Sequence, residues 1–389
     1  MSKNGWKETA FNDMADLIKD GYHPTGSDNF KYIGLEHIDQ QSLSLNSVGH
    51  STEVGSNKFR FKGGDILFGK LRPYFRKVYR PRFDGVCSTD IWVVRAKNGI
   101  DQGYLFYRMA SHEFVDMASS GSSGTRMPRA DWNHLKDTRW PVPSLPTQKK
   151  IAKILGDLDE KIELNHQMNK TLESIAQAVF KKWFVGFEFP GHEKTKFVNG
   201  LPEGWREGTL KEIVVNYDSK RVPLSSRERD DRKGPYPYYG AATIVDYIDD
   251  YLFDGIYVLM GEDGTVVAEQ GLPVLQYVWG KFWVNNHTHV LQGMNGISTE
   301  FIWLLLSQTN VQHIVTGAVQ PKISQSNMND LPVVIPDSDT INKFQMIIEP
   351  LFRKYRLNCD ELFKLQSIRD SLLPKLMSGE ICVNSGRKS

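Results

Sequence analysis

A long helical run that occurs twice constrains this sequence more than any other feature. Residues 147–185 contain no proline, and the same pattern returns at the C-terminus. Displacing the sequence by the 193 residues that separate Gly124 from Gly317 aligns the two copies without a gap, and Pro143 then falls on Pro336. Internal repetition of this kind predicts two copies of one supersecondary unit.

Both copies place their seam residues at alternating spacings of four and three, which is the pattern of a coiled-coil strand. The seam of the first copy comprises Ile151, Leu155, Leu158, Ile162, Asn165, Asn169, Leu172, Ala176, Val179 and Trp183. The seam of the second copy comprises Phe344, Ile348, Leu351, Tyr355, Asn358, Leu362, Leu365, Arg369, Leu372 and Leu376. A helix of this length extends roughly 58 Å, which predicts a spacer between globular units. Gly156 and Pro350, at adjacent repeat positions, predict a kink there.

One amide occupies the same position in each seam. Asn165 lies near the midpoint of the first run, and Asn358 is its repeat equivalent. If the two helices pair in antiparallel fashion, these amides are expected to face each other and to fix the register, because a buried amide needs a polar partner.

Length and composition indicate a protein with sizeable packed cores. A chain of 389 residues with 40% hydrophobic residues predicts two or three domains. The longest apolar runs, such as residues 301–306, are far shorter than the roughly 20 residues that span a bilayer. No signal-peptide pattern opens the sequence, so a cytoplasmic protein without membrane contact is expected. Cys87, Cys359 and Cys382 are too few and too widely spaced for a disulfide framework or zinc pairs, which predicts free thiols.

Charge is divided unevenly along the chain, although the formal net charge is only +2. Residues 1–146 carry 20 basic and 16 acidic side chains, whereas residues 200–336 carry 10 basic and 16 acidic ones. A nucleic-acid-binding surface must therefore be a local patch, especially in the acidic second segment.

Two globular units are predicted around the first helical run. Residues 1–146 contain strand-like runs rich in Ile, Val, Tyr and Phe, punctuated by Gly or Pro, and then a helical segment at 103–118. The same order of strands, helix, loop and extended exit recurs in residues 200–336. We therefore predict a mixed α/β (α+β) fold, with two antiparallel long helices in regions 147–199 and 337–389 and an internal pseudo-twofold repeat.

Several segments resemble one protein family. The runs KTLESIAQAVFKKWFV and LQSIRDSLLPKLMSGEI are similar to the conserved regions of type I restriction-modification specificity subunits. The first-domain segments GDILFGKLRPYF and FDGVCSTDIWVVR resemble the target-recognition domains of that family, as do YPYYGAATIVDYIDDYLFDGIYVLMGEDGTV and NNHTHVL in the second domain. The resemblance spans the whole chain.

The resemblance implies that each domain recognises one half of a bipartite double-stranded DNA target and that the paired helices fix the gap. It also implies two kinds of partner, namely methyltransferase (modification) subunits that act on adenine N6 and restriction/translocase subunits. S-adenosylmethionine, Mg and ATP are expected in those partners, so no cofactor, metal or catalytic set is expected in this chain.

Sequence motifs agree with a non-catalytic role but leave alternatives open. The chain contains neither a GxxxxGK[ST] phosphate loop nor an Asn-Pro-Pro-Tyr/Phe motif. A protein-binding assembly scaffold, a specificity partner of a related methyltransferase-nuclease system and an enzyme in its own right are the alternatives.

Two segments of the first domain are candidates for DNA contact. Residues 70–82 hold six basic side chains with aromatic residues between them, which suits contact with phosphates and with guanine. The candidates in this run are Lys70, Arg72, Tyr74, Arg76, Lys77 and Arg80. A loop of small residues adds Ser122, Ser123, Thr125, Arg126 and Arg129. The alternatives are a strand with one solvated basic face and a plain flexible connector.

The second domain concentrates six of its ten basic residues between positions 220 and 233, which favours a DNA-binding loop. The candidates there are Lys220, Arg221, Arg227, Arg229, Arg232, Lys233 and Tyr238. Because Glu228, Asp230 and Asp231 lie among them, a salt-bridged surface within the loop is the alternative.

Three further segments of the second domain carry polar side chains that suit base contact. Asn285, Asn286 and His287 are candidates, together with Lys322 in the loop before the exit strand. Glu262 and Asp263 could accept hydrogen bonds from cytosine N4, although an ordinary hairpin tip is the alternative. His287 and His289 lack a third metal ligand nearby in the sequence, so no metal site is predicted.

Overall fold

The computed structural model describes residues 5–122, 127–317 and 319–383 of the chain. It divides into a first unit, Met1–His166 with Asp360–Ser389, and a second unit, Gln167–Cys359. Each unit contains one α/β domain and one half of each long helix. The mixed α/β class and the internal repeat are therefore confirmed.

Strands in the described part of the first domain form three sheets. The two-stranded sheet pairs Lys7–Ala10 with Arg139–Val142. The four-stranded sheet has the order Ala15–Ile18, Ile91–Ala96, Ile66–Gly69, Val78–Tyr79. The five-stranded sheet has the order Gly21–Tyr22, Lys58–Phe61, Gly85–Ser88, Lys31–Ile33, Gly49–His50. All neighbours are antiparallel except Lys31–Ile33 and Gly85–Ser88. The strands are short and interrupted because glycine and proline recur between the apolar runs.

Short helices connect these strands. The α-helices are Phe11–Met14, Gln102–Ala110, His112–Ser120 and Trp132–Leu135, and the 3-10 turns are Leu35–His37, Ser51–Glu53 and Pro73–Phe75. The single helix predicted at 103–118 is two helices, because Ser111 ends the first and caps the second by accepting a hydrogen bond from the Phe114 N–H.

The second domain repeats this plan with a larger sheet in its described part. Its six-stranded sheet has the order Val214–Asn216, Thr288–Gly293, Phe253–Gly261, Leu275–Val284, Lys233–Tyr239, Ile244–Ile248, and two-stranded sheets pair Phe197–Val198 with Leu201–Pro202 and Arg206–Thr209 with Pro332–Ile335. The α-helices are Ser226–Asp230, Thr299–Leu306 and Gln325–Asn329, and the 3-10 turns are His192–Lys194, Leu210–Glu212, Asp218–Lys220, Glu269–Gly271 and Gln312–Ile314.

The repeat is most visible where each domain meets its long helix. In the first domain Lys7–Ala10 pairs with Arg139–Val142, and in the second Arg206–Thr209 pairs with Pro332–Ile335. Each domain is thus closed by an antiparallel pair between a strand near its start and the strand that leads into the helix.

The two long helices are continuous elements. The first runs over Leu145–Phe180 and ends in a π-helical turn at Lys181–Val185, and the second runs over Ser338–Met377. Both continue through the predicted kink positions, Gly156 and Pro350. Asp337 precedes the second helix and accepts hydrogen bonds from the N–H groups of its first turn.

The helix halves run antiparallel within each unit, as predicted. In the first unit Asp159 pairs with Arg369 at 3.0 Å, and Asn165, further along the first helix, donates to Glu361, which lies earlier on the second. Residue numbers therefore rise along one helix as they fall along the other.

The expected pairing of the two seam amides is wrong. The Asn165 Nδ2 donates to Glu361 at 2.8 Å, and the Asn358 Nδ2 donates to Asn169 at 2.8 Å. Each amide therefore lies beside a different residue of the opposite helix within its own unit. Sequence periodicity gives the seam but not this offset.

One hydrophobic core joins the domain to the helix halves in each unit. In the first unit Phe114 and Leu105 share a core with Ile151 and Leu373. Full burial of such side chains stabilises by about 1.5–3 kcal/mol each. The helices are therefore part of each domain's core.

Two smaller expectations concern membranes and thiols. Among the described residues, no helix combines the length and apolar character needed to cross a membrane. Cys87, Cys359 and Cys382 form no disulfide bonds, as predicted.

Candidate nucleic-acid interface

The basic run of the first domain forms a tight turn. Pro73–Phe75 is a 3-10 turn flanked by Arg72 and Arg76, whose φ angles of 51° and 50° lie in the left-handed region. This conformation costs a non-glycine residue roughly 1–2 kcal/mol, so the surroundings must hold the turn in place. The Arg72 N–H donates to the Pro128 carbonyl at 2.7 Å, which fixes one side of it.

Arg76 is the anchor of this turn and not a surface cation. Its side chain is only 2% exposed, and its guanidinium donates to the carbonyls of Ala110 at 2.6 Å and Gln41 at 3.1 Å. Burial lowers the pKa of the Arg76 guanidinium. The prediction that Arg76 contacts DNA is therefore corrected, because its donors are directed inward.

The opposite side of the turn faces solvent. Tyr74 is exposed, and Arg72 lies partly exposed over the ring of Phe75. Lys70 is also partly exposed, and neither it nor Arg72 has an ion pair among the described residues. These three side chains, Lys70, Arg72 and Tyr74, are called the basic turn surface below.

The remaining cations of the run are engaged internally. The Lys77 ammonium donates to the Leu35 carbonyl at 2.5 Å. Arg80 lies over the ring of Phe106, and it has no ion pair in the described part of the chain. The alternative of a strand with one solvated basic face is inconsistent with the turn at Pro73–Phe75 and with the burial of Arg76.

The small-residue loop ends beside the basic turn surface. Ser122 is partly exposed, whereas Ser123, Thr125 and Arg126 lie outside the described residues. Arg129 pairs with Asp90 at 3.1 Å, and a backbone bridge joins it to Leu71. Two segments separated by more than 40 residues therefore meet at one surface, which the sequence alone did not predict.

The predicted arginine-rich loop of the second domain is mostly regular structure. It contains the 3-10 turn Asp218–Lys220, the helix Ser226–Asp230 and the strand Lys233–Tyr239. Ser225 and Glu228 form a capping box, which explains why a helix forms within so polar a segment.

Most cations of this segment are paired with acids from elsewhere in the domain. The pairs are Arg221 with Glu262 at 2.6 Å, Arg229 with Asp246 at 3.4 Å, Arg232 with Asp249 at 2.9 Å and Lys233 with Asp246 at 2.8 Å. The hydrogen bond from Lys233 lowers the pKa of Asp246. The salt-bridged alternative is therefore partly right, but its acids come mainly from segments outside the loop.

Three candidates in this segment differ sharply in exposure. Tyr238 is 1% exposed and its hydroxyl accepts from the Leu224 N–H, so the structure corrects its assignment as a DNA contact. Lys220 and Arg227 are exposed and have no ion pair among the described residues. Lys220 lies over the ring of Tyr217 at 4.9 Å.

Asp218, Glu262 and His289 form a cluster with spacing suited to a metal, since their ligand atoms lie within 4.8 Å of one another. However, Arg221 lies 2.6 Å and Lys322 lies 3.2 Å from the Glu262 carboxylate. Two cations already neutralise the cluster, so we assign it as an internal charge network. Sequence inspection missed it because Asp218 and Glu262 lie far from His289 in the chain.

Hydrogen bonds hold this network together. The two ring nitrogens of His289 lie 2.6 Å from Asp218 and 2.9 Å from the Ile323 carbonyl. Although burial opposes it, the hydrogen bond from His289 lowers the pKa of Asp218. Arg221 also donates to the Thr288 carbonyl at 2.8 Å and thereby links three segments of the domain.

Next to this charge network, polar residues from three loops lie close together. His287 is hydrogen bonded to Asp263, and a backbone bridge joins Asp263 to Lys322. Asn286 is exposed, while the Asn285 Oδ1 accepts from the His287 N–H at 2.9 Å. Residues 262–264, 285–287 and 320–322 are called the second-domain loop surface below.

Comparisons with known proteins connect this architecture to one family. A family model described as the type I restriction modification DNA specificity domain matches residues 3–174 and 202–363. The MjaIX specificity subunit of a type I restriction enzyme from Methanocaldococcus jannaschii is 28% identical over 74% of this chain and 71% of its own length. The HindI specificity subunit from Haemophilus influenzae is 23% identical over 97% of this chain and 99% of its own length.

A solved structure shares the fold. The crystal structure of a type I restriction-modification S subunit from M. genitalium superposes with a TM-score of 0.64, at 18% identity, over 97% of this chain and 99% of that one.

Proposed function

Because this chain belongs to the family of type I restriction-modification DNA specificity subunits, we propose that its two domains each recognise one half of a bipartite double-stranded DNA target. In this proposal residues 1–146 and 200–336 are the recognition domains. The chain selects the sequence and is not itself the enzyme. Methylation of adenine N6 and DNA cleavage, with S-adenosylmethionine, Mg and ATP, belong to methyltransferase and restriction/translocase partners.

The observation that carries this proposal is the duplication of a complete specificity domain. The two family matches, residues 3–174 and 202–363, each contain one domain and a large part of the helix that follows it. Each domain has its own sheets, its own closing strand pair and its own core. Two matches to one DNA-specificity family, each containing a domain with its own core, support two DNA sites.

In the first domain we assign DNA contact to the basic turn surface, together with Ser122. Arginine and lysine side chains that lack an internal acidic partner can neutralise phosphates and release counterions. The exposed ring of Tyr74 offers a stacking or hydrogen-bonding group between them. Buried Arg76 holds the turn that carries this surface through its hydrogen bonds to the Ala110 and Gln41 carbonyls.

In the second domain we assign contact to the second-domain loop surface, with Lys220 and Arg227 as phosphate contacts. The domain is acidic as a whole, but many of its carboxylates are used in internal pairs such as Arg229 with Asp246. Exposed Asn286 and the pair of Asp263 and His287 present amide, carboxylate and imidazole groups to base edges.

Replacing Arg72 by Ala is expected to weaken DNA binding mainly by removing one phosphate contact. The slope of log affinity against log salt concentration should become shallower by roughly 0.9, because one fewer counterion is released. The measurement is duplex binding by the complex with its methyltransferase partner at several salt concentrations.

Arg139→Ala is the matched control, because Arg139 is an exposed arginine of the same domain outside the basic turn surface. It should leave the slope unchanged. An equal slope for Arg72→Ala and the parent protein would assign Arg72 to a solvated surface and contradict this contact.

Exposed aliphatic residues on the long helices support partner docking. Ile154, Leu164 and Ile175 are exposed on the first helix, and their repeat equivalents Ile347, Leu357 and Ile368 are exposed on the second. Solvated helix faces are usually polar, so exposed aliphatics at the same three positions in both copies are informative. They favour two equivalent docking patches, one around Leu164 in the first unit and one around Leu357 in the second, for two copies of one methyltransferase subunit.

Substituting Leu164 by Glu is expected to reduce the methyltransferase bound per chain from two copies to about one, because a buried, unpaired carboxylate opposes docking at one patch. The double variant L164E/L357E should bind neither copy. Mass measurement of the purified complex gives the stoichiometry, with Lys149→Glu as an exposed charge-change control. Retention of two copies by the double variant would exclude these patches as docking sites.

A further inference from the structure

A buried arginine interrupts the seam between the long helices. Arg369 is 1% exposed, and its guanidinium pairs with Asp159 on the first helix at 3.0 Å. It also donates to the Ser42 carbonyl at 2.8 Å and pairs with Asp370 on its own helix. All of these residues belong to the first unit. An arginine that cannot lose its charge is an unusual occupant of a seam position.

The equivalent layer of the second unit is apolar. The repeat displacement that aligns Asn165 with Asn358 also aligns Asp159 with Phe352 and Ala176 with Arg369. Phe352 and Ala176 are both buried in the core of the second unit. The same layer of the duplicated seam is therefore an ion pair in one unit and a phenylalanine against an alanine in the other.

This difference matters for which helices can pair. Both helices follow the same heptad pattern, so each could in principle form an antiparallel pair with a second copy of itself. Because the repeats are in register, pairing of two first helices would place Asp159 opposite Ala176. Pairing of two second helices would place Arg369 opposite Phe352.

Such self-pairing leaves charges without their partners. Arg369 would lose Asp159 and also the Ser42 carbonyl, which belongs to the first domain. A buried charge deprived of its partner weakens association roughly a hundredfold or more. The Asp159 side chain is 26% exposed, so the effect on pairs of first helices is expected to be smaller.

We call residues 1–199, which contain the first long helix, the N-terminal half, and residues 200–389, which contain the second, the C-terminal half. We propose that the ion pair between Arg369 and Asp159 in one unit, together with the apolar Phe352 and Ala176 at the equivalent layer of the other, makes each half pair with the other half and not with a second copy of itself. In this role Arg369 selects the pairing partner. The interaction is independent of DNA contact, and so the inference does not rest on the proposed function.

The test uses the full chain with a protease site inserted between Asn199 and Gly200, an exposed turn between the strands Phe197–Val198 and Leu201–Pro202. Two preparations that carry different tags are cleaved and mixed. The mixture is held at a urea concentration at which the cleaved halves exchange partners. Capture on one tag then measures pairs of two N-terminal halves and pairs of two C-terminal halves.

The parent protein should yield almost no self-pairs. The double variant D159F/R369A, which gives the first unit the chemistry of the second, should raise both kinds of self-pair at least about tenfold. The single variant Arg369→Ala should raise pairs of C-terminal halves and leave pairs of N-terminal halves low, because Asp159 still opposes Ala176 there. Thermal melts of the uncut variants verify that they fold.

Two results would overturn the proposal. One is an equal yield of self-pairs from the parent protein and from D159F/R369A, which would show that this layer does not determine pairing. Equal increases in both kinds of self-pair for Arg369→Ala would indicate general loosening of the helices and not selection by this layer.

Discussion

Replacing Arg76 by Ala is expected to lower the free energy of unfolding of the first unit by about 2–4 kcal/mol. The substitution removes charge-assisted hydrogen bonds to the carbonyls of Ala110 and Gln41 and leaves both acceptors without this donor. It also removes a cation 3.8 Å from Asp370 on the second long helix. Because Arg76 ends a strained turn, its loss should also disorder the basic turn surface.

The matched variant is Arg72→Ala, at the other end of the same turn. Arg72 has a left-handed backbone like Arg76, but its side chain faces solvent. Its replacement should change the free energy of unfolding by no more than about 0.5 kcal/mol while reducing the salt dependence of DNA binding. Urea unfolding at neutral pH, with the transition of the first unit followed separately, measures the difference. Equal stability losses for the two variants would contradict the division of roles.

The long helices and the domain plan could be predicted because they depend on local patterns. Seam residues at alternating spacings of four and three gave both helices, and turn residues between apolar runs gave the strands. The start of the first helix at Leu145 and the cap of the second at Asp337 follow rules that act over three or four residues. Because the sequence repeats, the order of elements predicted for the first domain also predicts that of the second.

The direction of side chains in the basic run could not be predicted. Arg72 and Arg76 have the same residue type, lie four residues apart and share a backbone conformation, yet one faces solvent and the other faces the core. What separates them is the position of the Gln41 and Ala110 carbonyls, which are distant in sequence. Charge clustering alone does not distinguish a binding surface from a buried anchor.

The same limit applies to the second domain. Most cations of its arginine-rich segment are paired with carboxylates from other segments, such as Glu262 for Arg221 and Asp249 for Arg232. The sheet order brings these groups together, and no local spacing encodes it. The partners of the two seam amides, Glu361 for Asn165 and Asn169 for Asn358, are likewise encoded by no local spacing.

Exchanging residues 1–143 for the equivalent segment of another specificity subunit is expected to replace one half of the recognised sequence completely. The exchange point lies between the strand Arg139–Val142 and the helix that begins at Leu145, so the closing strand pair moves as a whole. The incoming domain must still pack on Ile151 and Leu373, which are core residues of the first unit.

The expected effect is large because specificity is lost base by base. Each mismatched base pair in a half-site costs about 1–3 kcal/mol, so several mismatches together remove binding to the original target at cellular concentrations. The second domain and both long helices are unchanged by the exchange. The second half-site and the number of base pairs between the halves should therefore stay as they were.

Mapping of methylated adenines across the genome of cells that carry the exchanged subunit and its methyltransferase partner tests this most directly. We expect a new first half-site, together with the parental second half-site and the parental spacing. A change in both half-sites, or a first half-site that remains parental, would contradict the assignment of one half-site to each domain.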